Sequence, residues 1–361
     1  MNSVMELVSA KALSTFWNET VSNRIPYLGE GLFPAKKKMG LDLAWIKGYK
    51  GLPIALKPSA FDTKATVRDR IGVKKIETEM PFFRESMTIK ERDRQELLRF
   101  RENDSQGLYE TIINEIFDDR KQLIEGALIQ SERMRMQLLI SGGISIIANN
   151  VDYTYNYDVD GNWTSNNFEQ LSGTSLWTAP NTATPLEDLR EMQEKILTAT
   201  GVKPTRVIMN TYTWNLMKAT KEIKGAVNPL TYSDIMSGAK VLVSDNDLRK
   251  VLMEELGLTV ALYDKKFLDE SKVEHKFFPD GYVTLIPATT LGNTYYGTTP
   301  EEADLQSANF NGDVSIVETG VAVTTINIPH PVNKETIVSE IVLPSFERMD
   351  EVGTLKVTAT L

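Results

Sequence analysis

Few side chains in this 361-residue chain have the types and spacing that chemistry needs. Asn156-x-Asp158-x-Asp160-Gly161 sets oxygen ligands at alternate positions ahead of a glycine, which is how a calcium loop begins. The rest of that loop fails. Its first ligand is Asn rather than Asp, and Asn167 stands at the twelfth position, where a bidentate Glu is required. The flanks read as strands, so the segment is read as an Asp-Gly hairpin turn. The two histidines, His275 in a charged strand and His330 between Pro329 and Pro331, belong to no recognisable catalytic signature. No phosphate-cradling Gly-x4-Gly-Lys-Ser/Thr, no Gly-x-Gly-x-x-Gly and no Gly-x-Ser-x-Gly occurs. With no cysteine, disulfides, thiolate metal sites and cysteine nucleophiles are excluded, and two histidines cannot make a His-rich metal cluster. The sequence therefore offers no catalytic, cofactor-binding or metal-ligating residue, and it is read as non-enzymatic.

The elements that would position such residues point to structure instead. Forty basic against 49 acidic residues give a formal charge of −9. That balance argues against tight nucleic-acid binding, which draws its affinity from neutralised phosphates. No run approaches about 18 apolar residues, so no membrane span is expected. Met1 to Lys11 lacks a basic region followed by an apolar block, so a secretory signal is not expected and synthesis in the cytoplasm is.

Residues 1–40 read as an arm: Ser3 and Glu6 have capping-box spacing and Val4, Leu7 and Val8 share a helical face, after which no pattern is sustained, and Lys36-Lys37-Lys38 reads as a solvated loop rather than a phosphate site. Over Leu41 to Ile89 the pattern is strand-like but broken: Leu52, Ile54 and Leu56 alternate around Pro53 and Pro58, and the return is rich in charge. Such a charged hairpin has too few apolar residues for a core of its own, so it is expected to protrude and lie on another subunit. A long helix follows from Gln106 to Leu139, packing through Ile112, Ile116, Leu123 and Ala127 and stopped by Gly142-Gly143. Gly126 inside it costs roughly 1 kcal/mol against Ala, which predicts a close approach there. Gly143 to Trp163 reads as a hairpin turning at Asp160-Gly161. An α/β-like section then begins with Thr184 as N-cap, Pro185 at the first helical position and Glu187 completing a capping box. It continues with a strand at Thr205 to Met209, helices near Tyr212 to Lys221 and Asp247 to Leu256, a strand at Leu258 to Tyr263, and a hairpin at Asp280-Gly281. Strands Val321 to Ile328, Thr336 to Leu343 and Leu355 to Thr360 close the chain. The class is α+β.

The most specific stretch runs from Tyr263-Asp264 through Phe277-Phe278-Pro279-Asp280-Gly281-Tyr282-Val283, Pro287, Leu291-Gly292 and Tyr295-Tyr296-Gly297 to Thr299-Pro300-Glu301-Glu302. With Phe82-Phe83-Arg84-Glu85 and the order of segments, it resembles the major capsid protein family of tailed bacteriophages, the branch typified by the lambda head protein. The resemblance implies the tailed-phage capsid fold of the Hong Kong ninety-seven type. Its parts would be an N-terminal arm (1–40), an extension loop (41–95), a peripheral domain with a spine helix (96–179), an axial domain (180–330) and closing strands (331–361). It also implies a structural protein without cofactors that self-assembles, as hexamers and pentamers, into an icosahedral head shell. That shell would enclose double-stranded DNA without sequence-specific binding, assemble in the host bacterial cytoplasm, and meet portal, scaffolding and often decoration proteins. Arg68, Arg70 and Arg84 would meet carboxylates on a neighbouring subunit, because the guanidinium fork pairs bidentately. A cellular nanocompartment shell of the same fold and a phage tail or baseplate protein remain the alternatives.

Overall fold

The computed structural model describes residues 9–21, 26–47, 74–89, 91, 95, 99, 106–148, 151–227, 242–304, 312–330 and 333–359. In chain order the helices are α1 (Ala10–Val21), α2 (Leu28–Leu32), α3 (Gln106–Ser141), α4 (Asn162–Asn166), α5 (Pro185–Thr200), α6 (Thr211–Ala219), α7 (Lys221–Val227), α8 (Asp245–Leu256) and α9 (Pro300–Asp304). The strands are β1 (Ala35–Lys37), β2 (Asp42–Lys47), β3 (Lys74–Glu79), β4 (Phe82–Ile89), β5 (Gly143–Ala148), β6 (Val151–Asn156), β7 (Phe168–Gln170), β8 (Arg206–Met209) and β9 (Thr259–Leu262). They continue as β10 (Lys266–Leu268), β11 (Glu274–Lys276), β12 (Tyr282–Ile286), β13 (Thr294–Tyr296), β14 (Gly312–Val317), β15 (Val321–Ile328), β16 (Asn333–Pro344) and β17 (Gly353–Lys356). The described residues form two compact units, one within 1–44, 77–134 and 293–345, the other within 45–76, 135–292 and 346–361.

The first unit is built on β16. β15 pairs with it from Ala322↔Ser339 to Ile328↔Asn333, and β14 lies beyond β15. β13 takes the last three residues of β16, with β1 parallel to it outside, and β4 pairs with β16 over eight residues. β-Branched residues that suit a half-buried pleat face one side: Val317, Val321, Val323 and Val338. Leu123, Ile124 and Leu128 of α3 and Ala10, Leu13 and Trp17 of α1 cover them, each large side chain worth about 1.5–3 kcal/mol on burial. α1 corrects the reading of no sustained pattern beyond Val8: Ala10, Leu13 and Trp17 mark one helical face, and the Trp17 indole donates to Glu318 at 3.0 Å.

α3 runs 36 residues without a break at Gly126, and Leu123 and Ala127 face the core as the periodicity predicts. The side chain of Ile112 lies outside the described residues. Among the described residues a Cβ at Gly126 would meet nothing within 4 Å, so the close approach expected there is not made by them. β2 and β3 pair as a two-stranded sheet; residues 48–73 between them, with Arg68 and Arg70, lie outside the described residues. Phe82–Ile89 departs from the protruding hairpin, because alternation turns Met87 towards the core and buries Ile89. Lys36 and Lys37, read as loop, form the exposed strand β1.

The second unit carries a mixed sheet ordered β7-β17-β12-β8-β9. α6, α7 and α8 form the crossover between the parallel strands β8 and β9. Leu189, Met192 and Ile196 of α5, Trp214 and Met217 of α6, and Leu248 and Leu252 of α8 are buried in one cluster with Val207, Val283 and Leu355 of the sheet. α8 starts two residues before the expected Asp247, capped by Ser244 Oγ, which accepts from Asp247 N at 3.1 Å, and ends at Gly257 in the left-handed region. α5 starts differently. The Thr184 side chain makes no capping bond; Glu222 reaches in from α7 and accepts from Leu186 N at 2.8 Å.

Two turns are corrected. β5 and β6 pair from Gly143↔Asn156 to Ala148↔Val151, so that hairpin does not turn at Asp160-Gly161. Those residues instead open α4, where the Asp158 carboxylate accepts from Trp163 N and Thr164 N, a helix cap in place of a calcium ligand. Asp280-Gly281 joins β11 to β12, which lie in different sheets; the hairpin is β10–β11, turning on Asp269, whose carboxylate accepts from Ser271 N and Val273 N.

Candidate assembly surfaces

Arg84 lies on β4 with a side chain 45% exposed, and its guanidinium is ion-paired with Glu301 of α9. It also sits over the Phe82 ring, 4.7 Å from the centroid. The Glu301 side chain is only 10% exposed, and its other oxygen accepts from Ser339 Oγ at 2.8 Å. Next to it Glu302 pairs with Lys37, whose ammonium also donates to Gly297 O at 2.9 Å. Thr299 Oγ1 accepts from Glu302 N and caps the short helix. The Thr299-Pro300-Glu301-Glu302 motif therefore ties β4 and β1 to α9 within one chain. Sequence spacing could not reveal this, since Arg84 and Glu301 are far apart along the chain. Of the three arginines picked out by sequence, Arg84 is thus already paired in its own subunit; Arg68 and Arg70 lie outside the described residues.

The other motifs are close-packing devices. Gly297 N donates to Ile341 O at 2.8 Å, and a Cβ there would come within 2.6 Å of the Ile341 side chain. That explains the glycine of Tyr295-Tyr296-Gly297. Gly281, at φ 78°, would place a Cβ 2.0 Å from Thr358 Oγ1. The turn it ends is latched by Asn210, the N-cap of α6: Asn210 Nδ2 donates to Phe278 O and Asp280 Oδ1. Thr213 Oγ1 accepts from Gly281 N at 2.9 Å.

Burial moves several ionisations. In the first unit, desolvation lowers the Arg120 pKa to about 10, and the Lys334 ammonium falls below its usual value through burial and then the nearby Arg120. Arg120 donates to Thr336 Oγ1 at 2.7 Å and to Ile116 O at 3.0 Å. In the second unit, burial raises Asp188 to about 6 against the bond from the Trp177 indole, and repulsion from Glu222, Glu191 and Glu169 adds to it. Glu222 is also raised, first by burial. Burial likewise raises the Tyr157 phenol. His275 Nε2 lies 2.8 Å from Asp269 Oδ2, an exposed pair that staples the β10–β11 turn. Among the described residues no group of three or more His, Cys, Asp or Glu is placed to hold a metal ion, and no helix is long and apolar enough to cross a membrane.

The arrangement is that of a scaffold whose polar groups fasten strands and helices to one another. Its likenesses agree. No curated protein matches the chain in sequence. Among solved structures, a protein of an E. coli CFT073 prophage described as a capsid protein superposes with a TM-score of 0.58 at 12% identity, covering 97% of this chain and 99% of that one. A phage-related protein from Bordetella bronchiseptica RB50 gives 0.54 at 15% identity, covering 97% of both chains. The capsid of cyanophage A-1(L) gives 0.50 at 11% identity, covering 92% of both. The fold is thus the tailed-phage capsid fold of the Hong Kong ninety-seven type. The family model described as phage major capsid protein E matches residues 9–357. The chain belongs to that family: it is a structural protein, not an enzyme, that builds the icosahedral shell of a phage head and is a component of the virion.

Proposed function

We propose that this chain self-assembles in the host bacterial cytoplasm, as hexamers and pentamers, into a shell that encloses packaged double-stranded DNA and meets portal, scaffolding and often decoration proteins. The match to the capsid family across residues 9–357 carries this reading. The net charge of −9 supports it too, since an acidic wall encloses DNA without gripping it. In the proposed division, 1–40 is the arm, 41–95 the extension loop, 96–179 the peripheral domain, 180–330 the axial domain and 331–361 the closing strands. Arg68 and Arg70 contact carboxylates of a neighbouring subunit, and Arg84 adds its exposed half to the same seam. Exposed pairs are worth only about 0–1 kcal/mol each, but a closed shell repeats the contact at every copy.

Electron microscopy of the purified chain at high concentration tests the reading; closed shells are expected, and open rings or tubes would overturn it. Arg68→Glu with Arg70→Glu should leave the dilute protein's circular dichroism unchanged and abolish or distort the shells. Normal particles from that double variant would remove the arginines from the seam. Arg84→Glu is a poor probe, because it sets a second carboxylate against Glu301 within the subunit.

A further inference from the structure

Three exposed sheet edges in this protein are guarded. β1 carries Lys36 and Lys37, with Lys38 following, and lysine on an edge discourages pairing with another chain. At β5, Gln137 occupies both edge groups of Ser145: its Nε2 donates to Ser145 O and its Oε1 accepts from Ser145 N, each at 3.1 Å. At β9, Arg249 Nη1 donates to Val260 O at 2.8 Å. β4 has no such guard. Val342 N donates to Pro81 O, which sets the alternation: Phe83, Glu85, Met87 and Ile89 turn their amides to β16, and Arg84, Ser86 and Thr88 turn theirs away. Among the described residues no strand pairs with that outer edge, and Arg84, Ser86 and Thr88 are exposed. The strand runs eight residues in unbroken register, with no bulge, no proline and no lysine, and the charge of Arg84 is already met by Glu301.

We propose that the outer edge of β4, at Arg84, Ser86 and Thr88, is completed by a strand from a second copy of this chain. The inference rests on the shell-forming reading and adds the contact that joins the copies. An open edge of this length is a template for strand addition, and a free one is a liability in any protein kept at high concentration. A second copy is the fitting occupant because a shell sets identical chains side by side, each bringing the same open edge in the same setting. The guards at β1, β5 and β9 then disfavour strand addition at those three edges.

Residue-resolved hydrogen exchange on the whole chain tests it. On going from dilute protein to shells made of the purified chain alone, the Arg84, Ser86 and Thr88 amides should slow by about tenfold or more, with Glu85 and Met87 protected in both states. Ser86→Pro removes an amide that β16 does not use, so the subunit should fold and fail to close shells. Thr88→Lys, an edge lysine, should act the same way. Wild-type shells whose Arg84, Ser86 and Thr88 amides exchange as fast as in the dilute protein would overturn the proposal and leave the shell reading intact. That result would also follow if another protein supplied the strand. Failure of the wild-type chain to form particles would overturn both.

Discussion

Among the described residues, burial displaces two cations in the first unit and two carboxylates in the second. In the first, the groups that burial displaces are cations, Arg120 and Lys334, each pushed towards its neutral form and each repelling the other. In the second they are the carboxylates Asp188 and Glu222, pushed the other way. Arg206 is the second unit's exception, a desolvated arginine that donates to the carbonyls of Pro287 and Thr289. The first unit also buries carboxylates, but with donors supplied: Glu132 accepts from Gly29 N at 3.0 Å, and Glu301 takes Arg84 and Ser339. Burial alone therefore does not set the cost. A buried group is displaced where its neighbours are few or of its own sign, and that leaves Asp188 and Lys334 with opposite responses to pH.

The largest effects locate each unit's unfolding transition. Leu128→Ala in the first unit and Leu252→Ala in the second each remove a buried side chain and should cost about 2–5 kcal/mol. Because neither group titrates, denaturant midpoints should fall by the same amount at pH 5 and pH 8. A loss that varies with pH would mean the cavities disturb the buried charges, and the comparison would fail.

Asp188→Asn comes next. Asp188 holds its proton up to about pH 6 in the folded protein and only to its ordinary 3.8 when unfolded. Between those values the folded state binds more protons, so stability falls as pH rises through the window and stays reduced above it. Asn keeps an oxygen for the Trp177 indole, which donates to Asp188 Oδ2 at 2.8 Å. The variant should gain about 1 kcal/mol at pH 7, allowing for solvent screening of a partly exposed group, and lose the slope between pH 4 and 6. An unchanged pH profile would sink this half of the contrast. Lys334→Met tests the other half. A lowered ammonium pKa means the unfolded chain binds more protons, so wild-type stability should rise with pH on the alkaline side. The variant should flatten that rise; a limb as steep as wild type would show that Lys334 is not its source.

How much of this was legible in the sequence depends on how local each cause is. α3, β15 and α8 carry long periodic patterns or local caps, and β15 spans the residues Val321–Ile328 that alternation marks. α1 escaped because Ala10, Leu13 and Trp17 give only two turns of signal. β4 was hidden by Arg84 and Glu85, whose charges mask the alternation of Phe83, Met87 and Ile89. The motifs of the likeness were visible, but their reasons were not: the Asp280-Gly281 turn depends on Asn210 and Thr213, and α5 is capped by Glu222 rather than by its own Thr184. Those causes are tertiary and leave no trace in local spacing.

The smallest expected effect is at Gly126. It lies inside α3, has an ordinary helical backbone, and would place a Cβ in open space among the described residues. Gly126→Ala should therefore stabilise the dilute protein by about 0.5–1 kcal/mol through the entropy of the unfolded chain, with no packing penalty. Thermal melts at pH 5 and pH 8 should show the same gain, since no titrating group is touched, and a destabilised variant would contradict the open space. Assembly then adds a second reading. If a neighbouring copy packs against α3 at this point, the stabilised chain should form shells poorly, because the added methyl group meets that neighbour. If shells form normally, the glycine is an uncompensated weakness of the helix, and the gain in the dilute protein carries through to the particle.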